Sequence, residues 1–102
     1  MAKHTTLDEL EGTYFQDHSE EVDSYIKLIF EDYAKDGDTG ALLSSLRVLS
    51  RVKGVSKIAQ EAGLSRMGVQ KALSEDGNPK LASINAIVHA MGYRLSLEKL
   101  NV

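Results

Sequence analysis

The chain has 102 residues, of which 42% are hydrophobic and 26% charged, with a net charge of −3. That length implies one domain that buries roughly two-thirds of the surface its unfolded chain exposes, so the core needs no staple. There is no cysteine, which excludes disulfides and thiolate metal sites and fits a reducing cytoplasm; no apolar run approaches the ~20 residues of a membrane span, and the opening MAKHTTLDELEG lacks the apolar stretch of a signal peptide.

Residues 1–16 carry weak local signals. Thr6 and Glu9 have the spacing of a capping box, but Gly12 limits any helix to about a turn, and Thr13, Tyr14 and Phe15 are β-prone. Asp17 and Glu20 repeat the capping-box spacing ahead of an amphipathic helix that ends near Lys35. Its apolar stripe is Val22, Tyr25, Ile26, Ile29, Phe30 and Tyr33. After Gly37, Asp38 is placed to cap a second helix reaching about Lys53, with Leu42, Leu43, Leu46, Leu49 and Val52 as its buried face. Arg47, Arg51 and Lys53 fall toward its C-terminal half, where cations suit the helix dipole.

The next stretch, SKIAQEAGLSRMGVQKAL, carries most of the information. Ser56 is expected to cap a short helix over residues 57–62. Gly63 stands where a left-handed residue is wanted, and Leu64 is an apolar plug for the turn. Ser65 then caps a further helix from Arg66 to about Ser74. Ala59 is small enough for a close helix crossing, and Val69 points back to the core. Two helices joined by so short a turn are the geometry that places the second in a DNA major groove; an ordinary helical hairpin shares the same signals. Residues 76–79 (Asp-Gly-Asn-Pro) form a loop. A fifth helix over residues 81–91 has Ile84, Ile87, Val88 and Met91 at helical spacing, with Gly92 after it. Tyr93, Leu95 and Leu97 alternate with Arg94 and Ser96, the period of a short half-buried strand. Its partner is either residues 13–15 or the same strand of a second subunit, and the latter makes Tyr93, Leu95 and Leu97 a homodimer interface suited to a palindromic operator.

The fold expected is therefore all-α, about five helices with a helix-turn-helix and a short C-terminal β-strand. The charge is split along it. Residues 1–38 hold three lysines against eleven acidic residues, a net of −8; residues 39–102 hold nine Lys and Arg against four acidic residues, a net of +5. A basic half with a helix-turn-helix suits phosphate attraction. The acidic extension suits either a solvated helix face or a basic partner.

Catalytic chemistry has little to work with. His4, His18 and His89 share no metal-ligand spacing, and no phosphate-binding glycine motif is present. The chain reads as a non-enzyme needing no cofactor. The candidate DNA-reading residues are Ser65, Arg66, Met67, Gln70 and Lys71. Arg suits guanine O6 and N7, Gln suits adenine N6 and N7, and Met suits a thymine methyl. Ser56 and Lys57 open the preceding helix, where a backbone phosphate can dock. Gly68 permits close approach, either to DNA or to another helix.

The pieces RVKGVSKIAQEAGLSR, KALSEDGNP and AMGYRLSL resemble the Xre/Cro-type (lambda-repressor-like) helix-turn-helix domain, and more narrowly the antidote proteins of addiction modules that accompany RelE/HigB-like toxins. The resemblance covers residues 38–97, with a looser match of the preceding acidic helix. It implies an antitoxin of a type II toxin–antitoxin pair that neutralises its toxin by protein contact and represses its own operon by binding double-stranded operator DNA. The alternatives are a stand-alone Xre-type transcriptional regulator and a helix-turn-helix retained only for protein contact. Such toxins cleave messenger RNA, so a basic toxin surface is expected to meet the acidic N-terminal third, with Leu10, Tyr14 and Phe15 as apolar anchors.

Overall fold

Helix formation in this chain is punctuated by glycine and by two side-chain caps, and the computed structural model, described over residues 19–74 and 76–101, shows where each one acts. A 3₁₀ turn, Ser19–Glu21, leads into α1, Val22–Asp36. Then follow α2, Thr39–Lys53; α3, Val55–Ala62; α4, Arg66–Ala72; and α5, Leu81–Ala90. Among the described residues the architecture is all-helical with five α-helices, as the periodicity indicates.

The apolar stripes meet in one continuous core. Val22, Ile26 and Ile29 from α1 join Leu42, Leu43, Leu46 and Leu49 from α2. Ile58 and Ala59 from α3, Val69 and Leu73 from the α4 region, and Ile87 and Met91 from the α5 region complete it. In this arrangement α1 packs on α2, while α3 packs on both α4 and α5. Val48 and Ser50, which lie off the expected face of α2, are buried too. The Ser50 hydroxyl is satisfied there by donating to the Arg47 carbonyl at 2.7 Å. Tyr33, by contrast, lies at the outer edge of the α1 stripe and is exposed.

Several boundaries differ from the sequence expectation. Ser56 does not cap α3. The helix begins at Val55, and Gly54 is at once the last cap of α2 and the first of α3. Gly54 adopts φ 95°, so the chain changes direction at a single residue that a side chain would strain. The start of α1 has no side-chain cap either: Glu21 holds that position, and the 3₁₀ turn carries the chain in. The expected cap Asp17 lies outside the described residues. The fourth helix stops at Ala72, two residues short of Ser74.

The C-terminal strand is the main departure. Among the described residues no β-strand is present, and residues 92–101 follow α5 without one. Alternation alone does not make a strand, because the ladder needs a second backbone to supply hydrogen bonds. The intrachain partner considered above, residues 13–15, lies outside the described residues. Tyr93 instead completes the end of α5: its N–H donates to the Val88 carbonyl at 3.1 Å, while that of Gly92 donates to His89 at 2.9 Å. This is the paired capping pattern of a glycine-terminated helix, whose final residue turns an apolar side chain back onto the preceding turn.

Candidate nucleic-acid interface

The turn between α3 and α4 is built from residues 63–65, and each has a distinct job. Gly63 takes φ 73°, its N–H donating to Gln60, while the Leu64 N–H donates to Ala59 at 2.9 Å. These bonds satisfy carbonyls that α3 would otherwise leave open. Leu64 packs against the core as the expected plug. Ser65 then caps α4, its hydroxyl accepting from the Gly68 N–H at 2.9 Å.

That bond explains Gly68. A Cβ added there would lie 3.0 Å from the Ser65 hydroxyl oxygen. Among the described residues, the crowding that a side chain would create comes from the helix's own cap.

The rotation of α4 is fixed by Val69, which is fully buried. With about 100° per residue, positions 66, 67, 70 and 71 then fall within one arc of roughly 140°, running from about 60° to about 200° away from Val69. Arg66, Met67, Gln70 and Lys71 are all exposed, Met67 at 76%. Ser65 at the cap, and Ser56 and Lys57 in the first turn of α3, are exposed as well. All seven candidate contact residues are thus accessible on two adjacent helices, four of them on a single face of α4.

The far end of α4 is tied down by residues that local sequence patterns do not connect. Arg47 of α2 donates to the Leu73 carbonyl at 3.2 Å and to the Ser44 hydroxyl at 3.4 Å. Its cationic group therefore faces the negative end of α4 rather than that of its own helix. Ser74 bonds back to the Lys71 carbonyl through both its N–H and its hydroxyl. Gly77 closes the loop against the same helix end, where a Cβ would fall 2.9 to 3.1 Å from the carbonyl oxygens of Ser74, Lys71 and Ala72. This is the physical content of the KALSEDGNP segment: it seals the carbonyl end of α4 with backbone packed too closely for a side chain.

Beside the first turn of α3, a shallow cleft of about 150 Å³ is lined by Lys53, Lys57, Ile58, Glu61, Ala90, Met91 and Gly92. Lys53 also lies over the ring of Tyr93, 5.9 Å from its centroid. The Tyr93 hydroxyl donates to the Asp23 carboxylate, joining the end of α5 to α1 across 70 residues of sequence. Burial, and then the hydrogen bond and charge of Asp23, push the Tyr93 hydroxyl up to about 12.

The remaining candidate residues fall elsewhere. Leu10, Tyr14 and Phe15 lie outside the described residues. Tyr93 is half-buried against its own core, whereas Leu95 and Leu97 are exposed, Leu97 at 98%. Glu20 in the 3₁₀ turn and Asp23, Glu31, Asp32 and Asp36 on α1 face solvent together with the apolar Leu28. Among the described residues, no group of His, Asp and Glu is arranged to hold a metal ion, and no helix is long and apolar enough to cross a membrane.

Comparison with known proteins adds a relationship over nearly the whole chain. An uncharacterized protein of Haemophilus influenzae is 31% identical over 74 residues, covering 72% of this chain and 76% of the relative. No solved structure matches. Residues 6–99 match the family model described as probable addiction module antidote protein, a span that takes in α1 through α5, and the chain belongs to that family of antitoxins.

Proposed function

We propose that this antitoxin neutralises a RelE/HigB-like toxin by direct contact and represses its own operon by binding operator DNA as a cytoplasmic homodimer, with neither catalysis nor a cofactor. The observation that carries the DNA half of the reading is the single exposed face of α4, capped at one end by Ser65 and sealed at the other by Arg47 and Gly77. In this reading α3 and α4 act as a helix-turn-helix. Arg66 and Gln70 read base edges, Met67 and Lys71 flank them, and Ser56, Lys57 and Ser65 position the phosphate backbone.

The toxin half rests on family membership and on charge. The first 38 residues carry −8, and the acidic side chains of α1 are solvent-facing. An RNA-cleaving toxin needs a basic surface to hold its substrate, and complementary charge would speed its encounter with this region and orient it. Leu10, Tyr14 and Phe15 supply the apolar anchors in this scheme. The dimer half rests on the exposed Leu95 and Leu97 beyond the Tyr93 anchor.

Co-expression with the product of the neighbouring reading frame tests the division of labour. Deleting residues 1–16 is expected to abolish toxin co-purification and growth rescue while leaving the gel shift of the chain's own upstream DNA intact. Rescue by a stable deleted protein would move the toxin site onto the folded helices. A genome with no adjacent frame for a small basic protein would instead favour the stand-alone Xre-type regulator.

A further inference from the structure

Past Tyr93 the chain leaves the domain with its bonding capacity unspent. Among the described residues, no backbone hydrogen bond involves residues 94–101. Leu97 and Leu100 are 98% and 80% exposed, and Leu95 is 36% exposed. Arg94 and Glu98 are exposed. In an extended chain they would stand about 13 Å apart, beyond the reach of a salt bridge along the strand.

We propose that residues 94–98 pair antiparallel with the same residues of a second copy, with Ser96 on the two-fold axis. The proposal rests on the homodimer reading above and adds its register. In an antiparallel pair of identical strands, choosing the residue on the axis fixes every other pair. With Ser96 there, Arg94 faces the partner's Glu98 and Glu98 faces the partner's Arg94, giving two opposite-charge pairs on one face. On the other face Leu95 meets the partner's Leu97, and Leu97 meets the partner's Leu95. Directly opposite residues of these types are mutually favourable.

Neighbouring registers lose this match. With Leu95 on the axis, Arg94 faces Ser96, and Glu98 falls opposite Gly92, whose φ of 99° lies outside strand geometry. That register also places Leu97 opposite Tyr93, whose side chain is already held by Asp23 and packed on its own core. With Leu97 on the axis, Leu95 faces Lys99 and Arg94 faces Leu100, mixing charge with apolar surface on both faces. Of the three, only the Ser96 register gives each charged and each apolar side chain between 94 and 98 a matching partner.

The absence of cysteine makes the test direct in the full-length chain. Ser96→Cys is expected to form a covalent dimer on mild oxidation, since directly opposite side chains have Cβ atoms about 4.5–5.5 Å apart. Leu95→Cys alone should not, because its two copies would sit on the diagonal at about 7–8 Å. A mixture of Leu95→Cys and Leu97→Cys chains should cross-link. In sedimentation, Arg94→Glu and Glu98→Arg should each raise the dimer dissociation constant about tenfold by placing like charges opposite one another twice, and the double variant should restore it. A wild-type chain that is monomeric at tens of micromolar would overturn the dimer reading and the register together. A dimer that cross-links at Leu95→Cys rather than Ser96→Cys, or at neither, would overturn the register alone.

Discussion

Arg47 and Leu73 are 26 residues apart, and the guanidinium of the first donates to the carbonyl of the second at 3.2 Å. This one bond joins the middle of α2 to the end of α4. The helix proposed to read DNA is only 7 residues long, so little of its stability comes from within. Arg47→Ala is therefore expected to destabilise the fold by about 1.5–3 kcal/mol, the range for losing a hydrogen bond to a charged group. It should also weaken operator binding although Arg47 lies in another helix. Urea denaturation alongside a gel shift checks both effects; unchanged stability would show that the Leu73 carbonyl is equally well served by water.

The exposed face of α4 predicts a different pattern. Arg66→Ala should leave the unfolding midpoint unchanged and weaken specific operator binding by about 1–3 kcal/mol. Lys57→Ala should weaken all DNA sequences alike and flatten the salt dependence by about one phosphate contact. Fluorescence anisotropy at several salt concentrations separates the two. If neither substitution alters affinity, α3 and α4 do not form the DNA surface.

Two glycines in this region should respond differently to alanine. At Gly77 a methyl meets three backbone carbonyls, which cannot rotate away, so Gly77→Ala should cost about 1–3 kcal/mol. At Gly68 the obstacle is the rotatable Ser65 hydroxyl. A helix-propensity gain of about 1 kcal/mol is then offset by a disturbed cap worth about the same, and Gly68→Ala should be close to neutral. Equilibrium unfolding of the pair decides it, and equal costs at both sites would contradict this account.

Tyr93 predicts a response to alkali. Its hydroxyl is pushed up to about 12, so the folded state favours the protonated phenol more than the unfolded state does. The stability this provides is complete below the ordinary tyrosine value near 10 and is lost as pH rises toward 12. Near-ultraviolet titration should show one tyrosine ionising late, and Tyr93→Phe should remove that step and flatten the fall in stability between those two pH values. A late step that survives in Tyr93→Phe would belong to another tyrosine.

What the sequence reveals and what it hides follow from the range of the forces involved. The Asp38 cap, the Ser65 cap, the Gly63 turn and the inward Val69 are all set by neighbours within a few residues, and each is where local pattern puts it. Ser56 fails as a cap because α3 begins at Val55, with Gly54 in the cap position two residues earlier. Arg47 reads as a cation suited to its own helix end and proves to serve another helix, since nothing local links it to Leu73. The role of Gly68 is open in the sequence because a cap's side-chain rotamer is needed to see it. The alternation over 93–97 yields no strand among the described residues, because no neighbouring backbone there supplies a ladder.

Gly54 is all that separates α2 from α3, and the core runs unbroken from Val22 to Met91. The acidic and basic parts of this antitoxin are therefore not interchangeable cassettes. A chimera that grafted the first 38 residues of one such protein onto the remainder of another would cut between α1 and α2, where two helices share their buried surface. An exchange at that junction between two such chains therefore has to bring a matching α2 face together with α1. Substitutions on the solvent side of α1 escape that constraint, because only its other side enters the shared core.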